Sequence, residues 1–157
     1  MIKRREFIAG LGSAAAWPVL ARAQQPAVPV IGFLSGGSPG GYAPYAAAFR
    51  QGLKEAGFVE GQNVAVEYLS AENQYDRLTV LAADLIQRKV RVIVASAVDA
   101  AHAAKAATTT IPIIFSISGD PVVEGLVSSL NRPGGNLTGV TTFPARYQRS
   151  GWKCCAS

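Results

Sequence analysis

The chain has 157 residues, of which 49% are apolar and 16% charged, and a formal net charge of +5. That charge belongs to the ends: residues 1–23 and 144–157 each carry +3, while 24–143 holds eight Lys/Arg against nine Asp/Glu. A body without a basic stripe excludes a nucleic-acid surface, and its apolar, repeat-free composition excludes a disordered segment.

Residues 1–23 follow the order of an export signal. A basic opening with a twin-arginine pair, Lys3-Arg4-Arg5-Glu6-Phe7-Ile8, runs into a weakly hydrophobic stretch over 7–20 and then the small-x-small site Ala21-Arg22-Ala23. The apolar stretch is too short to span ~30 Å of hydrocarbon, which takes roughly 20 apolar residues. A twin-arginine signal is an address and leaves no anchor behind. The expectation is therefore a periplasmic protein, exported by the twin-arginine route, beginning near Gln24 and keeping no membrane span after cleavage.

The body alternates between two periods. Residues 28–34 are an apolar, β-branched run that predicts a buried strand, and 35–41 are a Ser/Gly/Pro cluster that predicts a flexible loop. Over 42–56 the period turns helical, with Tyr45, Phe49, Leu53 and Ala56 on one face, Pro44 suited to the first turn and Gly57 as the stop. Residues 63–68 alternate as a strand, and 75–89 carry a helical stripe of Leu78, Leu81, Ala82, Leu85 and Ile86. The continuous apolar run at 90–95 fits a central parallel strand covered on both faces. A helix over 99–108 follows, with Asp99 as its cap or as a complement to its dipole. Then come a strand at 111–115, a helix over 121–131 starting at Pro121, and a strand at 137–141.

Strand and helix recurring at intervals of roughly 30 residues are the signature of βαβ units with right-handed crossovers. The fold class is α/β, an open, doubly wound parallel sheet, whose ligands bind beyond the carboxyl ends of the strands. The loops at those ends, 35–41, 96–98, 116–120 and 141–143, share hydroxyl residues and glycine. Such loops offer hydroxyl and backbone N–H donors beside helix N-termini, a setting that holds carboxylates and other anions. Taken singly, the same residues are ordinary cap and turn formers.

Other chemistry finds little support. The glycines at 36–41 do not keep the G-x-G-x-x-G spacing, and no G-K-[ST] follows. Asp120 has no His nearby in sequence and is explained as a helix cap. His102 lies in an Ala-rich helical stretch, and Cys154 and Cys155 are neighbours near the end of the chain, without ligand spacing for a metal. No catalytic residue, metal or cofactor is expected. The reading is a binding domain for a small solute, with an exported α/β enzyme or sensor domain using the same loops as the alternative.

Particular segments carry a resemblance. Ser118-Gly119-Asp120-Pro121-Val122, Gly125-Leu126-Val127-Ser128-Ser129-Leu130 and Arg132-Pro133-Gly134-Gly135-Asn136-Leu137-Thr138-Gly139-Val140-Thr141 resemble bacterial substrate-binding proteins of ABC transporters with a type I periplasmic-binding-protein fold. Phe49-Arg50-Gln51-Gly52-Leu53, Glu60-Gly61-Gln62-Asn63-Val64, residues 77–83 and the opening Arg4-Arg5-Glu6-Phe7-Ile8 add to it. The resemblance implies two α/β lobes that close on a small organic solute and present it to an ABC permease in the inner membrane. It implies amino acids, aromatic ones among them, as the first solutes to try. Ser35, Gly36, Ser96, Ser118 and Thr141 are the positions it places in the first lobe's half of the cleft. On this reading 24–143 is the N-terminal lobe.

Residues 144–157 depart from the family pattern: they have no helical stripe, and the Trp152-Lys153-Cys154-Cys155 run is unlike everything before it. Codons chosen for 150–157 read, in another frame, as Arg-Leu-Glu-Met-Leu-Arg-Glu, an amphipathic helix of the kind the family continues with. The expectation is a frameshifted or truncated gene product that retains one lobe of two.

Overall fold

Five apolar or alternating segments form strands, all parallel, in the computed structural model, which describes residues 28–142. The export signal read at 1–23 and the tail at 144–157 lie outside the described residues. The strands are β1 (Val30–Ser35), β2 (Ala65–Ser70), β3 (Val92–Ser96), β4 (Ile113–Ser118) and β5 (Leu137–Thr142), in the order β2-β1-β3-β4-β5. The connecting helices are α1 (Pro39–Glu55), α2 (Leu78–Gln87), preceded by a 3-10 turn at Tyr75–Arg77, and α3 (Val98–Ala107). The expected doubly wound parallel sheet is the fold observed, with β3 at its centre.

Alternation along the strands sorts side chains to two faces. On one face Phe33 and Val94 meet Ala46 of α1, with Tyr42, Phe49 and Tyr68 packed round the Phe33 ring at centroid distances of 5.6–5.9 Å. On the other, Leu34, Ile93, Ala95, Ile113, Phe115 and Leu137 pack against Leu78, Ala82 and Leu85 of α2 and Ala100, Ala101 and Ala104 of α3. Small side chains bring α3 close to the sheet. Gly32 does the same for α2, since a Cβ there would stand 2.8 Å from the Leu85 methyls.

Most element boundaries shift by one to three residues from the sequence reading, and the start of α1 is the shift that bears on the site. Helix α1 starts at Pro39 rather than at 42: Ser38 caps it by accepting from the Gly41 N–H at 3.3 Å, and Pro39 occupies a first-turn position its fixed φ suits. The glycine loop is correspondingly short, and Pro44 falls inside the helix instead of in its first turn. The stop at Gly57 is as expected. Its φ of +85° supports paired bonds from the Gly57 N–H to the Lys54 carbonyl and from the Phe58 N–H to the Leu53 carbonyl.

The helix expected over 121–131 does not form. One turn closes after Pro121, with the Leu126 and Val127 N–H groups both donating to the Pro121 carbonyl, and Gly125 at φ +69° then reverses the backbone. Leu126 and Val127, which follow the reversal, are both buried. Asp120 accordingly caps a turn, accepting from the Val122 N–H at 2.8 Å.

Helix α1 covers its face only over β1, β2 and β3. On the same face Ile114 is 40% and Val140 62% exposed, beside exposed Thr138 and Thr142. Among the described residues nothing covers that half of the sheet.

Candidate functional site

Strand order reverses between β1 and β3, so the loop after β1 leaves toward α1 and the loop after β3 toward α3. The crevice between the diverging loops is where open parallel sheets bind ligands. Register places four serines across that edge: Ser35 pairs with Ser70 on β2 and Ser96 on β3, and Ser96 pairs with Ser116 on β4. By strand alternation all four belong to the α1 face. Two residues further along β4, Ser118 pairs with Thr142, their hydroxyl oxygens 3.4 Å apart.

The five positions taken from the sequence thus reach one edge of the sheet, in different settings. Ser96 is half-buried and Ser118 exposed, both on the serine face. Ser35 is 3% exposed, and its Oγ accepts from the Gly37 N–H at 3.3 Å. Gly36 is buried beneath the ring of Tyr75. The Thr141 side chain belongs to the opposite face and donates to the Gly119 carbonyl. Ser70 lies beyond the alternation at 63–68 and belongs to β2 in the structure. The only signal for it was the hydroxyl following Leu69. Ser116 lay inside an expected loop but is a strand residue, and Tyr75 was counted only as the start of a helix.

Hydrogen bonds fix the loops. Ser70 Oγ donates to the Gly37 carbonyl and accepts from the Glu72 N–H at 3.2 Å. The Ala71 N–H donates to the Ser35 carbonyl and the Asn73 N–H to the Gly36 carbonyl, each at 2.9 Å. The loops after β1 and β2 are therefore stitched into one unit.

Helix α3 begins at Ala97 with no side-chain cap, so its first N–H groups face the crevice without a side-chain acceptor. Asp99 lies in its first turn, complementing the dipole rather than capping. Ala97 itself holds φ +91° and ψ 160°, a conformation almost confined to glycine. The site's chemistry is polar and largely uncharged: hydroxyls, backbone donors and a helix N-terminus, suited to a carboxylate or to the hydroxyl and amide groups of an organic molecule. Among the described residues no three His, Cys, Asp or Glu come together to hold a metal ion, and no helix is long and apolar enough to cross a membrane.

Residues 6–148 match the family described as ABC transporter substrate binding protein. A Clostridioides difficile protein named Tyrosine-binding protein is 35% identical over 95 residues, which cover 60% of this chain and 28% of that one. Among solved structures, the ligand-free, open form of a Clostridium difficile substrate-binding protein with adhesive properties superposes with a TM-score of 0.69 at 30% identity, covering 74% of this chain and 40% of that one. A Streptococcus pneumonia ABC domain in complex with L-Trp gives 0.67 at 28% identity, covering 72% and 38%. The chain thus spans 40% or less of the length of each of these relatives.

Proposed function

The chain belongs to the ABC transporter substrate-binding protein family, and we propose that it is the first lobe of a periplasmic protein that captures an amino acid for import through an inner-membrane ABC permease. The family is one of binding proteins rather than enzymes. The observation that carries the reading is the register that sets Ser96 and Ser116 side by side at the switch point, beside the uncapped start of α3, with Ser35 and Ser70 bonded to the loops behind them. An amino-acid carboxylate accepts hydrogen bonds from hydroxyls and free helix N–H groups, and such bonds to a charged acceptor are stronger than those to a neutral one. Of the five positions expected from the sequence, Ser96 and Ser118 line the half-cleft, with Ser116 added by the register; Ser35 and Ser70 brace the loops behind it, Gly36 lies beneath Tyr75, and the Thr141 side chain is on the opposite face. The names of two relatives, one tyrosine-binding and one holding L-Trp, favour aromatic amino acids.

Saturation-transfer NMR of the chain against the twenty common L-amino acids tests this. Transfer to a subset that includes an aromatic amino acid, abolished by Ser96→Leu, is the expected result. Transfer to none of them, or transfer that survives Ser96→Leu, would contradict it.

A further inference from the structure

Tyr75 occupies the rim of the same edge. It begins the 3-10 turn ahead of α2 and is 54% exposed. A Cβ on Gly36 would lie 3.0 Å from its Cε1 and 3.3 Å from its Cδ1, so the ring rests against the bare backbone at the end of β1. Gly36 is buried by that contact, and what the edge presents at this point is the tyrosine ring.

The loop that carries the ring is braced. Glu72 and Asn73, which lead into it, both have left-handed backbones, at φ +54° and +65°, an arrangement most residues adopt reluctantly. Three bonds offset that reluctance: Ser70 Oγ to the Gly37 carbonyl, the Asn73 N–H to the Gly36 carbonyl, and the Gln74 N–H to the Ala71 carbonyl at 2.8 Å. The result is a half-exposed aromatic ring on a braced loop, seated against Gly36 at the same strand-end edge as the serines.

Resting on the amino-acid reading above, we propose that Tyr75 is a specificity-determining residue whose ring packs against the aromatic side chain of the solute while the serine edge holds its backbone end. Ring–ring contact favours aromatic over aliphatic side chains beyond what buried area alone provides. The preference therefore resides in Tyr75, and its hydroxyl is dispensable.

The test is NMR titration of the chain and of Tyr75→Ala and Tyr75→Phe with L-tryptophan, L-phenylalanine and L-leucine. Because Tyr75 is exposed, its truncation should leave the amide spectrum of the sheet in place, which the same titration checks. The expected result is a rise of roughly fivefold in Kd for the two aromatic solutes in Tyr75→Ala, with L-leucine within twofold and Tyr75→Phe unchanged. Equal weakening of all three solutes, or none, overturns the role of Tyr75 and leaves the amino-acid reading standing. If the unaltered chain binds none of the three, both fall together.

Discussion

Ala97 keeps its strained backbone because both its polar groups are tied down: its N–H donates to the Ser116 carbonyl at 3.0 Å and its carbonyl accepts from Ala101 at 3.2 Å. Such a conformation costs about 1–3 kcal/mol in a residue with a Cβ, against about 0.5–1 kcal/mol of chain entropy for glycine. Ala97→Gly should therefore raise stability by roughly 1 kcal/mol in urea unfolding; a loss would mean that the alanine methyl is needed for packing. Gly139 is the opposite case. A Cβ there would fall on the Phe115 carbonyl oxygen and ring, neither of which can give way within a paired strand. Gly139→Ala should destabilise by about 1–3 kcal/mol, and a neutral effect would refute the β4–β5 register.

Tyr68 offers a reading by pH. Burial, then the Glu60 carboxylate that accepts its hydroxyl at 3.3 Å, push its pKa up to about 12, against the opposing pull of Arg50 stacked 5.4 Å from the ring centre. The folded state holds this proton more tightly than the unfolded chain. Its contribution to stability is therefore complete below the ordinary tyrosine value of about 10 and is lost as pH rises from there toward 12. An ultraviolet titration should show a late phenolate step that Tyr68→Phe removes. A titration complete by about pH 11 would contradict the environment described for Tyr68.

At the scale of elements, the sequence was most legible where one period ran without interruption. The strands sit within three residues of where apolar runs or alternation placed them, because burial on one or both faces imposes that pattern. The export of Leu126 and Val127 into a turn was not legible. Gly125 reads equally well as a weak helical residue or as a left-handed break, and its φ of +69° shows that the break is what forms. The site shows the same division. The hydroxyls near the strand ends were visible as residue types, whereas the row joining Ser70 to Ser116 depends on register between strands far apart in sequence, which no local window contains. Among the described residues the α1 face of β4 and β5 is bare, which likewise depends on topology. Its exposed Ile114 and Val140 should promote self-association, so light scattering at rising concentration should fall when both are changed to threonine. Equal scattering would show that association lies elsewhere.

At the scale of the molecule, the proposed reading makes residues 28–142 one wall of a cleft, and the match covers 40% and 38% of the two solved relatives. A solute held by this wall alone buries less area and meets fewer polar groups than one enclosed on both sides, and should bind weakly. At a solute concentration equal to Kd the stabilisation is only about 0.4 kcal/mol, and the melting temperature should move by no more than ~2 °C. A rise of several degrees with a single amino acid at low concentration would show that this lobe alone encloses its solute.

The measurement that bears most directly on the central claim is amide chemical-shift mapping of the labelled chain during titration with L-tryptophan. The account predicts perturbations at the strand-end edge, at Ser35 and the loop to Ser38, at Ser70 to Tyr75, at Ser96 to Asp99 and at Ser116 to Asp120, with the opposite end of the sheet silent. Perturbations centred instead on the outer faces of α2 and α3, or on the amino ends of the strands, would contradict it.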